Sequence, residues 1–433
     1  MTRPPAPRRL AGTARPAARA PLLRVLRSFA MLARLRDALR SGDWLNEERR
    51  RLVAVVLAVV YAASFAYILS SGPRFDPRGR PIGADFAAFF GASRELLRGT
   101  PAAALYRPDV LNAAIRDLTG GGQYVWLYPP TALLFYWPVA SLPYLAALAA
   151  WILVGLLAYL AAVWRAFPSR SAIVAAIVFP AVFACATHGH NGLLLAGLLG
   201  GGLLQMSARP GLAGVLLAGA AALKPHLASL VPVALIAGRR WRALASMAGA
   251  AAILASVVTL AFGVDVWSAF LRSSAISRWM LETGAVPYDK IASVFSAARL
   301  LGCGVPASYG VQAVATLGAV GVTVWAWTRP FSDELKATTL LLAAALATPY
   351  VYDYDLPALG VGLALWARSV VRAGWAPWER SVMFAVWLSP LLARPIASAV
   401  KLGVVPLVVA VAVAVVLRRG TAARGAGCIP ARA

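Results

Sequence analysis

The stretch LVAVVLAVVYAASFAYILSS, residues 52–71, contains twenty consecutive residues without a charged side chain. About 20 predominantly apolar residues are enough for a helix to cross a bilayer. The whole chain of 433 residues is 60% hydrophobic and 14% charged, whereas soluble globular proteins have about 45–50% apolar and about 25% charged residues. Its three cysteines are too scattered for a disulfide framework or a metal site. The composition therefore excludes a soluble, disordered or disulfide-stapled protein and predicts an all-α polytopic membrane protein.

Apolar runs continue along the chain and predict about twelve transmembrane helices. The runs are 52–71, 144–164, 171–187, 192–206, 211–223, 227–237, 243–262, 307–327, 335–348, 356–366, 381–392 and 400–417. A further apolar stretch, 125–143, contains four prolines, which remove backbone donors and kink helices. We therefore interpret 125–143 as a broken or re-entrant segment rather than a thirteenth crossing.

Charge sets the expected orientation of these helices. Residues 1–51 hold 13 of the 42 Lys and Arg residues, and basic segments next to the membrane stay in the cytoplasm. We expect 1–51 to be a basic cytoplasmic segment, partly disordered or a helix on the membrane surface. The integral membrane domain is predicted at 52–417, and a basic cytoplasmic tail at 418–433. The net charge of +25 is then explained by topology and anionic headgroups rather than by nucleic acid.

This orientation places most of the chemically unusual residues at the outer ends of the helices. The long first outer loop, which we expect to carry amphipathic helices, contains Gly-Ala-Asp-Phe at 83–86. Other outer connections contain Thr-His-Gly-His-Asn-Gly at 187–192, Leu-Lys-Pro-His at 223–226 and Pro-Tyr-Val-Tyr-Asp-Tyr-Asp at 349–355. Ionisable residues close to a bilayer are costly, so they are candidate functional residues.

The available side chains limit the chemistry. The sequence lacks a phosphate-binding glycine loop, the zinc-protease motif and the nucleophile elbow of serine hydrolases. We predict no resident metal and no bound cofactor. A site built from His188, His190 and Asp353 is a less favoured alternative, and a divalent cation requirement stays open. Carboxylates and cations at headgroup level suit a lipid-anchored substrate that carries its own phosphate.

The order of these motifs resembles glycosyltransferase family 87. The matching elements are Gly-x-Asp-Phe at 83–86, Leu-x-x-Gly-x-Pro at 96–101, Tyr-Pro-Pro at 128–130, Gly-x-Asn-x-Leu-Leu at 189–194, Lys-Pro at 224–225 and the Pro-Tyr cluster from 349. The resemblance extends over roughly 53–417. It implies the multi-spanning GT-C class of sugar transferases, which includes mannosyltransferases that use polyprenyl-phosphate mannose.

The resemblance further implies an inverting hexosyltransferase in the cell inner (plasma) membrane. Its active face is extracytoplasmic, its donor a polyprenyl-phosphate sugar, and its acceptor a glycolipid or glycan. Asp85 matches the catalytic carboxylate, with a role as general base, and Lys224 matches the Lys-Pro position, with a role at the donor phosphate. His190 stands where the family often has glutamine.

Several alternatives remain open at this point. Asp85 could instead cap a helix, and Lys224 could extend to lipid headgroups. The tyrosines near 350 could form an aromatic belt at the interface. A transporter or lipid-sugar flippase is the alternative function. The candidate substrate-binding residues are Lys224, His190, Asn191, His226, Tyr350, Tyr352, Asp353, Arg394 and Lys401.

Overall fold

The fold is entirely helical, as the sequence predicts. The computed structural model describes residues 31–426, in which the only extended pairings are two isolated β-bridges. The helices are α1 (31–41), α2 (Glu47–Leu69), α3 (Ala84–Leu97), α4 (Pro108–Thr119), α5 (Leu133–Tyr136), α6 (Tyr144–Ala166), α7 (Arg170–Ile177), α8 (Pro180–His188), α9 (Gly192–Gln205), α10 (Pro210–Leu223), α11 (Leu230–Ala237), α12 (Trp241–Phe262), α13 (Asp265–Thr283), α14 (Val294–Leu300), α15 (Val305–Thr328), α16 (Asp333–Leu346), α17 (Pro357–Ala373), α18 (Glu379–Val400) and α19 (Val404–Ala426).

Six of the described helices are long and apolar enough to cross a membrane. They are α2, α6, α12, α15, α18 and α19. The pair α7 and α8, bent by 48°, makes a seventh when it is counted as one span. Each of the twelve predicted runs coincides for most of its length with a helix or with this bent pair. The protein is therefore a polytopic membrane protein, and the number of twelve crossings stays a prediction.

Several of the predicted runs form short helices. The eight residues of α11 and the fourteen of α9, α10 and α16 reach about 12 Å and about 21 Å, whereas the hydrocarbon core is about 30 Å thick. Polar residues, glycines and prolines end these helices early. Three of the resulting breaks, 188–192, 224–229 and 347–356, carry the predicted motifs.

The long loop after α2 carries two helices, of which α4 is amphipathic and α3 is buried over eight consecutive residues, and it packs onto the helix bundle. Helix α3 buries Phe86 and Phe89 completely or nearly so, and Phe89 stacks on Tyr136 at a ring distance of 4.2 Å. The hydroxyl of Tyr144, at the start of α6, donates to the carbonyl of Ile82 at 2.6 Å. This contact fixes the entry to α3, and hence the backbone of Asp85, against the bundle. The proline-rich stretch at 125–143 is broken into short 3-10 turns and α5.

The opposite ends of the helices are held together by arginines. Arg240 pairs with Asp333 at 2.8 Å and Arg372 with Glu334 at 2.6 Å. These pairs connect the start of α12 and the end of α17 to the start of α16. The basic connections that the sequence assigns to the cytoplasm therefore gather at one end of the bundle.

Both ends of the described chain lie next to the predicted domain limits at 51 and 417. Residues 1–30 of the predicted N-terminal segment lie outside the described residues, and α1 follows them. Trp44, just after α1, donates its indole N–H to Ser381 at 2.8 Å, so this segment is attached to the start of α18. Helix α19 continues past 417 to Ala426, and the buried side chain of Arg419 pairs with Glu379 at 2.7 Å.

Candidate active site

Three helix breaks meet at one end of the bundle, opposite the end that contains the Arg240–Asp333 and Arg372–Glu334 pairs. The ammonium of Lys224, after α10, is 2.6 Å from Oδ1 of Asp355, before α17. Nε2 of His190, before α9, is 3.4 Å from the same ammonium. A Cβ on Gly192 would overlap the carbonyl oxygen of Tyr354, so only glycine allows this close approach. Residues far apart in sequence thereby form one polar cluster.

Local sequence explains why the chain turns at these points. Gly189 adopts a left-handed φ of 64° after α8, a conformation that glycine tolerates best. Pro225 follows Lys224 directly, and Pro357 begins α17. Proline is well suited to the first turn of a helix but interrupts a helix interior. The turns therefore occur where the sequence predicts interruptions of the apolar runs.

His190 lies at the centre of the cluster and is 4% exposed. Its Nε2 is hydrogen-bonded to the hydroxyl of Tyr128 at 2.7 Å, and its ring stacks on that of Tyr354 at 3.8 Å. The Lys224 ammonium can only donate, so its contact with Nε2 favours the tautomer of neutral His190 that has its proton on Nδ1. Nδ1 lies 3.9 Å from Oδ1 of Asp355. The imidazole is therefore held inside the cluster, beneath its surface.

A second acidic residue of the same segment is also paired. Oδ2 of Asp353 lies 2.6 Å from the guanidinium of Arg394 on α18, and its Oδ1 accepts the backbone N–H of Tyr354 at 2.9 Å. Asp353 is buried and Arg394 is half-buried. The charges of Asp353 and Asp355 are thus each compensated by a specific cation.

Asp85 differs from these two aspartates. It lies in the first turn of α3, where Gly83 and not Asp85 occupies the capping position, which contradicts the helix-cap alternative. Its Oδ2 is buried and has no hydrogen-bond partner among the described residues. Burial raises the pKa of Asp85 above its ordinary value, and the positive charges of His188, Lys290 and Lys224 act in the opposite direction. Asp85 is therefore a half-buried carboxylate with one oxygen that has no hydrogen-bond partner among the described residues, and both Lys224 and Lys290 are close enough to influence its pKa.

A family comparison connects this cluster to a known type of enzyme. The model of glycosyltransferase family 87 matches residues 126–349. The chain belongs to glycosyltransferase family 87. No curated protein and no solved structure matches the chain. The sequence-based family assignment is thus confirmed, and the protein is a glycosyltransferase of the membrane.

The family match covers part of the cluster in this family-87 protein. It includes the segments that carry Tyr128, His190 and Lys224, whereas Asp85 and Asp355 lie outside it. The assignment of Asp85 therefore depends on geometry and on the motif order, not on the match.

The remaining predicted residues lie at different depths around the cluster. Asn191 is buried and donates to the hydroxyl of Tyr136 at 2.7 Å, while Tyr352 stacks on Tyr354 at 5.1 Å. His226 is half-buried, with its ring edge-on to that of Tyr350 at 6.3 Å. Lys401 is exposed at the end of α18 and forms no ion pair with the described residues. The structure thus brings most of the predicted residues together, with Lys401 at the periphery.

The cluster also contains residues that the sequence-based candidates omit. The sequence gives Tyr128, in the Tyr-Pro-Pro motif, a structural role in the broken segment, yet its hydroxyl binds His190. Asp355 belongs to the 349–355 motif but is not singled out within it, and it is the partner of Lys224. Lys290 lies in a short 3-10 turn, Tyr288–Lys290, outside every motif. The signal that could have identified Lys290 is its positive charge in a connection that the sequence predicts to be outer, where the positive-inside rule disfavours it.

The cluster has the composition of an acid–base and anion-binding site. Among the described residues, no three His, Cys, Asp or Glu side chains are arranged to hold a metal ion. Carboxylates and ammonium groups at this end of the bundle can accept a proton and bind a phosphate, respectively.

Proposed function

We propose that this family-87 protein transfers a hexose from a polyprenyl-phosphate sugar to a hydroxyl of a glycolipid or glycan. The first candidate for the hexose is mannose, and the reaction takes place at the extracytoplasmic face of the plasma membrane. The observation that supports this proposal best is that Oδ2 of Asp85 is buried without a hydrogen-bond partner among the described residues, while Lys224 and Lys290 influence the pKa of this carboxyl group. A base must be free to accept a proton, and the other two aspartates of the cluster already have cationic partners.

In the proposed reaction, Asp85 takes the proton of the acceptor hydroxyl. The acceptor oxygen attacks the anomeric carbon from the side opposite the phosphate, and the bond between that carbon and the phosphate oxygen breaks. The configuration is therefore inverted. The donor phosphodiester leaves as polyprenyl phosphate with one additional negative charge. Cations placed where this charge develops lower the barrier.

The other residues have supporting roles in this proposal. Lys224 contributes positive charge while Asp355 and His190 hold it in place. Arg394, anchored by Asp353, does the same from α18. The tyrosine rings at 350 and 352 offer apolar faces to the sugar. Asn191, His226 and Lys401 complete the proposed substrate-binding set.

The proposal is tested with the purified protein in lipid nanodiscs. Labelled polyprenyl-phosphate mannose, polyprenyl-phosphate glucose and GDP-mannose are supplied separately with a membrane glycolipid extract as acceptor. We expect label in the acceptor only with a lipid-phosphate donor. Transfer from the nucleotide sugar alone would contradict the proposed donor class, and movement of intact donor across the bilayer without transfer would favour a flippase.

The pH dependence of transfer reports on the proposed base. Burial raises the pKa of Asp85, and a general base works only when deprotonated. Activity should therefore fall as the pH decreases through this raised pKa, at a pH above that of an ordinary aspartate. The charged groups around Asp85 are His188, Lys224, Lys290 and Asp353. The measurement is kcat against pH, and an acid limb at the pH of a solvent-exposed aspartate would contradict the role of Asp85.

A further inference from the structure

The segment that contains Lys290 is paired with the segment of the acidic residues. Ile291 and Tyr352 form an antiparallel bridge, and the N–H of Ala292 donates to the carbonyl of Val351 at 2.6 Å. In an antiparallel pair the residues before and after a bridged position face each other in opposite order. Lys290 and Asp353 flank this bridge on the same side, so the bridge brings their two turns together although they are distant in sequence.

Helix α18 contacts both the segment of Lys290 and the segment of Asp353. Arg394 pairs with Asp353 at 2.6 Å, and the hydroxyl of Ser398 donates to Asp289 at 3.0 Å. Arg394 and Ser398 are four residues apart and thus on one face of α18. The bridge and the Ser398–Asp289 hydrogen bond therefore hold the backbone of Lys290 in place next to the cluster.

Lys290 is the cation without a partner in this arrangement. Lys224 is paired with Asp355, and Arg394 is paired with Asp353. Lys290 is half-buried and has no ion pair with any residue in the range 31–426. Its charge lies close enough to lower the pKa of Asp85. A half-buried ammonium without an ion pair among the described residues is available to an incoming anion.

We propose that Lys290 binds the phosphate group of the lipid-linked donor and of the polyprenyl phosphate product. This inference rests on the proposed function and adds a residue to it. The ammonium would donate to phosphate oxygens on the leaving-group side of the anomeric carbon, while Asp85 acts on the acceptor side. Charge-assisted hydrogen bonds of this type are stronger than neutral ones.

The test measures binding of undecaprenyl phosphate to the full-length protein in detergent micelles. Lys290→Gln should weaken this binding roughly tenfold to a hundredfold, because a hydrogen bond to a charged group is lost. Lys290→Arg should retain most of the affinity. Arg272→Gln, on the exposed face of α13, is the matched control and should bind as the wild type does. In transfer assays Lys290→Gln should raise the donor KM and leave the acceptor KM unchanged.

Two further arms identify the source of the phosphate. Inorganic phosphate and phosphatidylglycerol are measured in the same way, and the effect of Lys290→Gln should be largest for undecaprenyl phosphate. Equal loss for phosphatidylglycerol would assign Lys290 to general headgroup binding and overturn the inference. Unchanged affinity of Lys290→Gln for undecaprenyl phosphate would also overturn it, while sugar transfer by the wild type would keep the proposed function intact.

Discussion

Asp85→Asn is expected to reduce sugar transfer by roughly 10²- to 10⁴-fold, the usual contribution of a general base. Asparagine has nearly the same shape as aspartate but cannot accept the proton of the acceptor hydroxyl. Since Oδ2 of Asp85 is buried without a hydrogen-bond partner among the described residues, removing its charge should not destabilise the fold. The measurements are kcat with a lipid-phosphate donor and the thermal unfolding temperature of the same preparation.

Asp109→Asn is the matched control for this variant. Asp109 belongs to the same loop between α2 and α6 but is exposed and paired with Arg107 at 2.6 Å. We expect its kcat to equal that of the wild type. A stable Asp85→Asn protein with wild-type turnover would remove Asp85 from the mechanism.

Lys224→Met is expected to be the most destabilising change in the cluster. It would leave the Asp355 carboxylate, whose side chain is 0% exposed, without its cation. Removing one partner of a buried ion pair typically costs about 3–5 kcal/mol, because the other charge stays buried and uncompensated. We therefore expect a large fall in the unfolding temperature, measured in detergent, together with loss of transfer.

A double-mutant cycle measures the interaction energy between Lys224 and Asp355 apart from their contacts with other residues. Lys224→Met combined with Asp355→Leu removes both charges and should be less destabilised than the sum of the single variants. Arg107→Met, which breaks an exposed ion pair, should leave the unfolding temperature unchanged. Strict additivity of the two buried substitutions would show that Lys224 and Asp355 are not coupled.

Much of the fold follows from local sequence. A run such as 52–71 forms a helix and is too apolar for water, so its place in a membrane needs no knowledge of the rest of the chain. Helix interruptions at Gly189 and before Pro225 were predictable for the same reason, since they depend on local backbone preferences. The lengths of the helices were less predictable, as the eight residues of α11 illustrate.

The candidate site was predictable only in part. The sequence-based candidates include Asp85, Lys224 and His190 because they belong to motifs in the order typical of the family. Tyr128 and Asp355 also belong to motifs, but the sequence assigns a structural role to the first and does not single out the second, because neither motif reveals which distant side chain its residue contacts. Lys224 and Asp355 are 131 residues apart and meet only after their helices have packed.

The sequence by itself determined that this protein is helical, lies in a membrane and has polar residues at the breaks between its apolar runs. Those properties depend on hydrophobicity and backbone preference, which act over a few residues. Only the tertiary structure decided that Lys224 is paired with Asp355, that Arg394 is paired with Asp353 and that Lys290 has no such partner within the described part of the chain. Charge pairing depends on distances between side chains from different helices, and helix packing sets those distances.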